Sequence, residues 1–370
     1  MLLYRPGMKL VVALVAVSAC ASAPGEVGVN DRLTVIDQAV QVEPNRLTLP
    51  RAGNDALLES QAGDILVSGQ GAGFLRKVKT VAVSGDDLVI ETDQAAMTDA
   101  INEAEYAEVI HDAKWDVAGP HFAGVQVGFG NVDVQGNGGA HLKMTRGSVG
   151  FSPTLDLAMK MHWAHISQFD LVAQGAFDAE LGFHLETTGA AELHYTKDLW
   201  ESPAMTFYQQ IGIVPVVEVV QVHVALEVDI ATEGKTSLDV GASAHSQLAV
   251  GARYRNGHWT RVNDHTLVLR TDAPVLTTTN GVEVTVKVPV ELSVSFYDLA
   301  GPSVGLEPYV KAAYVPSEGP RVVASWGTEG VFAGTVNLLG TGDDSRVLGF
   351  EESLFDFNCE FGTPVAECLK

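Results

Sequence analysis

Cysteine is nearly missing from this chain, with three residues in 370, at positions 20, 359 and 368. So few thiols cannot build the disulfide framework that holds small secreted domains together, so the fold must rest on an apolar core. The cysteines also have no histidine beside them, which excludes a zinc site of the usual spacing. Basic residues are scarce too, 23 Lys and Arg against 46 Asp and Glu, for a formal charge of −23. Nucleic-acid phosphates and anionic membrane surfaces call for the opposite balance. The apolar run at the N-terminus, Leu10–Val17, covers only eight residues. A membrane-spanning helix needs roughly 20.

What is present begins with that N-terminus. Arg5 and Lys9 precede the apolar run, Val17-Ser18-Ala19-Cys20 ends it, and Ala21-Ser22-Ala23-Pro24-Gly25 follows. A basic start, a short apolar stretch and small residues at the cut are the marks of an export signal. Val-Ser-Ala-Cys resembles the bacterial lipobox. That resemblance implies that residues 1–20 form a lipoprotein signal and that Cys20 is acylated as the new N-terminus. Ala21, where an aspartate would mark inner-membrane retention, implies the outer membrane or cell surface. Residues 21–30 then read as a tether. With Cys20 assigned to lipid, Cys359 and Cys368 remain as an even pair, and a disulfide within the tail 359–370 is expected. So short a loop contributes on the order of 2–3 kcal/mol and clips a tail without holding a fold.

Residues 31–112 read as a small β-rich module with one helix. Leu33–Ile36, Arg46–Leu49, Lys77–Val83 and Leu88–Thr92 are short strand-like runs, and Gly85-Asp86-Asp87 marks a hairpin turn. Asp93 is the expected N-cap of a helix that places Ala96, Met97, Ala100, Ile101 and Ala104 on one face. From 116 to 358 the period changes to two. Phe169, Leu171, Ala173, Gly175, Phe177, Ala179, Leu181, Phe183 and Leu185 take every second position, with Asp170, Gln174, Asp178, Glu180 and His184 between them. The pattern recurs at 155–163, 216–230, 238–254 and 282–296. Only extended strands use such a period. The expected fold is therefore mainly β, an elongated antiparallel sandwich, roll or barrel of long strands. The stretches 211–216, 254–259 and 297–302 resemble uncharacterised secreted microbial β-proteins, a resemblance that implies no activity.

Several motifs invite chemical readings. Gly301-Pro302-Ser303-Val304-Gly305 matches the spacing of a nucleophile elbow, which needs a strand before it and a helix after it. Here Leu306–Val310 reads as another strand, so a turn is expected. Gly69-Gln70-Gly71-Ala72-Gly73 lacks the lysine of a phosphate loop and reads as a flexible turn. Asn131-Val132-Asp133-Val134-Gln135-Gly136 alternates oxygen ligands as calcium loops do, but Leu142 stands where the bidentate glutamate should be. The 11 histidines show no metal-ligand spacing and read as surface or cross-strand hydrogen-bonding groups. Aromatic residues near strand ends would suit the girdle of a membrane barrel, yet the apolar–polar runs exceed the ~9–11 residues such strands use.

No catalytic residue, metal or cofactor is assigned on these grounds. The expectation is a non-catalytic, lipid-anchored envelope protein presenting its β domain for binding, adhesion or structural assembly. Its partners would be the membrane, through the lipid, and an envelope or extracellular protein or glycan. A carrier of an acyl chain or other apolar ligand, or an envelope hydrolase, are the alternatives.

Overall fold

The computed structural model describes residues 27–110, 115–116, 119–120, 125–162, 165–255, 257–278, 280–297, 301–316, 322–334 and 350–360. Nearly all of them are strand. The fold is mainly β, with a small sheet at the N-terminal end and two long sheets packed face to face.

The small sheet uses β1 (Leu33–Val35), β2 (Gln41–Glu43), β3 (Arg46–Pro50), β4 (Ile65–Ser68), β5 (Phe74–Ser84) and β6 (Asp87–Gln94) in the order β1-β4-β5-β6-β3-β2. Its pairs are antiparallel except β1 with β4, which run parallel. The β5–β6 turn uses Gly85 at φ +62, a left-handed conformation that glycine adopts freely. All four residues of β4 are buried, because the sheet is covered on both sides. Leu66, Phe74, Leu88 and Ile90 close a separate small core, while Ile65, Val67 and Leu75 belong to the main one.

The expected helix is only a single turn, α1 (Met97–Ala100), with Ala96 and not Asp93 at its N-cap position. Asp93 instead lies 2.5 Å from Lys79 Nζ. Ile101 and Ala104 fall in strand β7 (Ile101–Ile110). The Ala-Met-Ile spacing is compatible with a helix, but one short helical segment is marginal by itself. Here a long neighbouring strand offers a continuous ladder from Ala104↔Met161 to Ile110↔Leu155, and tertiary pairing overrides local preference.

That neighbour is β8 (His141–His162), followed by β9 (His165–Thr187), β10 (Ala191–Glu201), β11 (Met205–Ile211), β12 (Val214–Thr232), β13 (Thr236–Arg255), β14 (His258–Thr271) and β15 (Val275–Thr278). Then come β16 (Val282–Lys287), β17 (Val290–Phe296), β18 (Ser303–Tyr314), β19 (Val322–Gly334) and β20 (Phe350–Glu360). The first long sheet has nine strands with the spine β7-β8-β9-β13-β14. The second has eight, with the spine β10-β12-β16-β18-β19-β20. Every pair within these two sheets is antiparallel.

Strand length follows from uninterrupted alternation. β9 has 23 residues, which at ~3.3 Å each gives a body about 75 Å long. Phe169, Leu171, Phe177, Leu181, Phe183 and Leu185 are buried on its inward side, facing Val222, Val284, Val294, Val310 and Trp326 of the second sheet in one continuous core. β9 and β13 lie against β18 and β19 across that core. Among the described residues no hydrogen-bonded ladder joins the two long sheets, so the body is a sandwich. Aligned packing is what twisted sheets with one apolar face adopt.

Candidate functional site

Most of the chemical motifs dissolve into strand geometry. Ser303 opens β18, a 12-residue strand, so no helix follows it and the elbow reading has no support. Asp133 lies in a short strand, Asp133–Gln135, paired with β8, and its carboxylate lies 2.7 Å from His141 Nε2. Among the described residues no group of three or more His, Cys, Asp or Glu converges as a metal site. Cys20 and Cys368 lie outside the described residues. Cys359 is on β20, opposite Trp326 of β19.

The outward faces of the sandwich carry a recurring arrangement that sequence spacing could not show. His184 pairs across strands with Asp239 at 2.8 Å, and His245 with Asp178 at 2.6 Å. On the second sheet His194 meets Asp229 at 2.6 Å and His223 meets Asp198 at 3.0 Å. His162 lies 3.2 Å from Glu103. Register makes these pairs: His184↔Asp239, Asp178↔His245 and His194↔Asp229 are direct cross-strand neighbours. An imidazole N–H donating to a facing carboxylate is the sheet counterpart of a helical i,i+4 pair.

At His184 and His194 these contacts make the proton part of the fold. Burial of the His184 ring works against its charge, but the Asp239 and Glu186 hydrogen bonds outweigh that and lift its pKa above the ordinary histidine value. Lys143 faces the same ring from β8. For His194 the hydrogen bond to Asp229 is the main cause of an upward shift. At Glu307, burial raises the carboxyl, with Lys287 opposing it. In all three the folded protein holds its proton more tightly than the unfolded chain. Their stabilisation is therefore complete below the unfolded pKa and is lost as pH rises through the folded one. For the two histidines we expect thermal stability to fall as pH rises past the ordinary histidine pKa and through the raised folded-state one. The double variant His184→Gln with His194→Gln should show a visibly smaller fall in a scan of melting midpoint against pH. An unchanged fall would mean that these pairs do not couple to folding.

A second cluster fixes the small sheet to the second long sheet. The loop Gly69–Gly73 packs on the start of β12 and on Tyr297, just past β17. A Cβ on Gly73 would stand 2.6 Å from Val217 Cγ2 and 2.9 Å from Tyr297 Cδ1, at φ +70. Tyr208 Oη donates to Gly71 O at 2.7 Å. Tyr297 Oη donates to Pro215 O at 2.6 Å, and its N–H to Val217 O at 2.9 Å. Burial, with the charge of Glu218 adding to it, pushes the Tyr297 phenol well above its ordinary pKa, so it stays a donor. Tyr297 sits at φ +53, the one positive φ outside glycine among the described residues. Such a conformation costs of order 1–3 kcal/mol and persists where surrounding contacts over-determine it.

Glu218 is fully buried on β12, on the same parity as Val216 and Val220. The sequence reading passed over it. Its signal was legible, a carboxylate at an otherwise apolar position of a strand. Val217 and Val219, on the opposite parity, are buried as well, because the small sheet lies over this part of β12.

A further external feature is the β14 flank of the first sheet. Gln174, Gln247, Asp264 and Thr266 line a groove of about 530 Å³ floored by Gly175 and Ala249. β14 itself is exposed on both faces for much of its length, with Val268 at 60%. Within the described residues no helix is long and apolar enough to cross a membrane. Comparison of the chain with models of known protein families, with characterised proteins and with solved structures found no match to any of them.

Proposed function

We propose that the protein is exported, anchored by lipid through Cys20 to the outer membrane or cell surface, and works there by binding, adhesion or structural assembly. The observation that supports a binding body best is the division of its faces. Inward side chains from both sheets meet each other in one packed cluster, while the outward faces carry polar residues. That arrangement favours work done on the outside over an apolar ligand held within. The polar outer faces and the β14 flank suit an envelope or extracellular protein or glycan, contacted along a body about 75 Å long.

The lipid anchor is tested by metabolic labelling with palmitate and by detergent-phase partitioning. The wild-type chain should take label and enter the detergent phase, and Cys20→Ser should do neither. A wild-type product that stays aqueous, or a mass matching an unmodified N-terminus, would overturn the anchor. Protease added to intact cells should cut the β body if it faces outward.

A further inference from the structure

The described chain begins against the tip of a hairpin. Residues 28 and 29 pair with β7 at Glu103 and Ile101, and Val27 lies at the turn between β11 and β12. A Cβ on Gly212, in that turn at φ +63, would stand 2.9 Å from Val27 Cγ1 and 3.6 Å from Val29 Cγ2. Only residues 21–26 separate Val27 from Cys20. Even fully extended, that length of chain reaches about 25 Å at ~3.6 Å per residue. A lipid on Cys20 therefore keeps the β11–β12 turn close to the bilayer.

The surface of this turn suits that position. Ile213 is 58% exposed at the tip, and Tyr208 is 60% exposed on β11. The Tyr208 hydroxyl donates to Gly71 O, which fixes the ring beside the Gly69–Gly73 loop, and a Cβ on Gly69 would stand 2.9 Å from Pro215 Cβ of the same hairpin. In a chain of net −23, no residue from Ser202 to Val217 carries a charge, nor does any from Ile65 to Leu75. An anionic lipid surface repels acidic segments, so an uncharged one can touch it at least cost. Isoleucine gains by leaving water, and tyrosine sets an apolar ring and a polar tip at headgroup level.

We propose that the β11–β12 turn, with Ile213 at its tip and Tyr208 beside it, docks on the lipid surface that holds the Cys20 anchor. Two side chains bind weakly by themselves, and the tether supplies the high local concentration that makes the contact persist. The contact also orients the body. The hydroxyls of Thr187 and Thr232 meet at 3.5 Å at the end of the sandwich opposite this turn. β12 runs from Val214 to Thr232, so at ~3.3 Å per residue that end stands up to about 60 Å from the bilayer. The polar outer faces between the two ends are then presented to the envelope or extracellular partner. This deepens the membrane contact proposed above and rests on the lipid anchor.

The test uses the full lipidated chain in phosphatidylcholine vesicles, with the mass of the N-terminal peptide measured on every preparation. Ile213→Trp should add fluorescence that brominated phosphatidylcholine quenches about twofold or more. Val268→Trp, opposite His245 near the middle of β13, should add fluorescence that the same lipid leaves unchanged. In the wild-type chain on vesicles, hydroxyl-radical oxidation of Tyr208 should be severalfold slower than in Ile213→Asp, whose charge resists leaving water. Ile213 is exposed in a turn, so Ile213→Asp should keep the wild-type melting midpoint. A lipidated chain whose Ile213→Trp fluorescence is unquenched overturns the proposal and leaves the anchor standing. So does equal oxidation of Tyr208 in the wild type and Ile213→Asp. Shielding of Tyr208 without quenching would mean that the tether or a second copy covers the tip, and overturns it as well. An unmodified N-terminus overturns the anchor and this contact with it.

Discussion

Trp326→Ala is expected to lower the free energy of unfolding by about 3–5 kcal/mol, the range for truncating a fully buried large aromatic. Trp326 is completely buried at the middle of β19, with Val310 of β18 on one side in register and Cys359 of β20 on the other. Two hydrogen-bonded neighbours hold the backbone there, and the first sheet lies across the core. The space left by an indole therefore cannot close by collapse. The loss combines the transfer free energy of the ring with the dispersion contacts its neighbours give up. Denaturant unfolding monitored by circular dichroism measures it. Val268→Ala, at a position 60% exposed, should stay within about ±0.5 kcal/mol and serves as the control. A loss below about 1 kcal/mol for Trp326→Ala would mean that the two sheets do not enclose this residue as described.

Gly73→Ala is expected to cost about 2–4 kcal/mol and to loosen the small sheet from the second long sheet. Two effects add. At φ +70 an L-residue pays ~1–2 kcal/mol relative to glycine. The new methyl would also stand 2.6 Å from Val217 Cγ2, 2.9 Å from Tyr297 Cδ1 and 3.0 Å from Ser68 O. Neither neighbour can give way easily, because Val217 is buried and the Tyr297 hydroxyl is tied to Pro215 O. Gly71→Ala separates the two effects. It has nearly the same φ, +64, but nothing within 4 Å of its Cβ position, so only the backbone penalty of ~1–2 kcal/mol applies. Hydrogen exchange should quicken in β4 and at the start of β12 for Gly73→Ala and much less for Gly71→Ala. Equal losses in the two variants would refute the packing role given to this loop.

The two substitutions probe different degrees of legibility. The long strands could be read directly, because a period of two from Phe169 to Leu185 admits no other regular backbone, and those residues are the buried face of β9. Gly69–Gly73 could be read as a turn, since nothing local recommends a helix there. That it docks against Pro215, Val217 and Tyr297 could not be read, because the contact joins residues about 145 positions apart or more. The helix at 93–104 shows the opposite failure. Its apolar spacing is real, but the free energy of a ladder beside β8 exceeds the weak helical preference of a dozen residues. The histidine–carboxylate pairs are intermediate. Each histidine was visibly on a polar parity, yet His184 and Asp239 meet only because β9 and β13 align in one register and not in the next.

Composition and periodicity by themselves determined the class of this body. Ample apolar residues at every second position require sheets with one dry face, and scarce cysteine and base exclude disulfide scaffolds and basic docking. The tertiary structure decided everything that depends on which strand lies beside which. It packed two long sheets face to face as a sandwich, buried Glu218 within β12, and set Val217 and Tyr297 against the Gly69–Gly73 loop of the small sheet. The physical reason is range. Alternation is a property of consecutive residues and is fixed by the chirality and geometry of the extended backbone. Pairing order and register are set by long-range burial and ladder closure, which no local stretch of residues encodes.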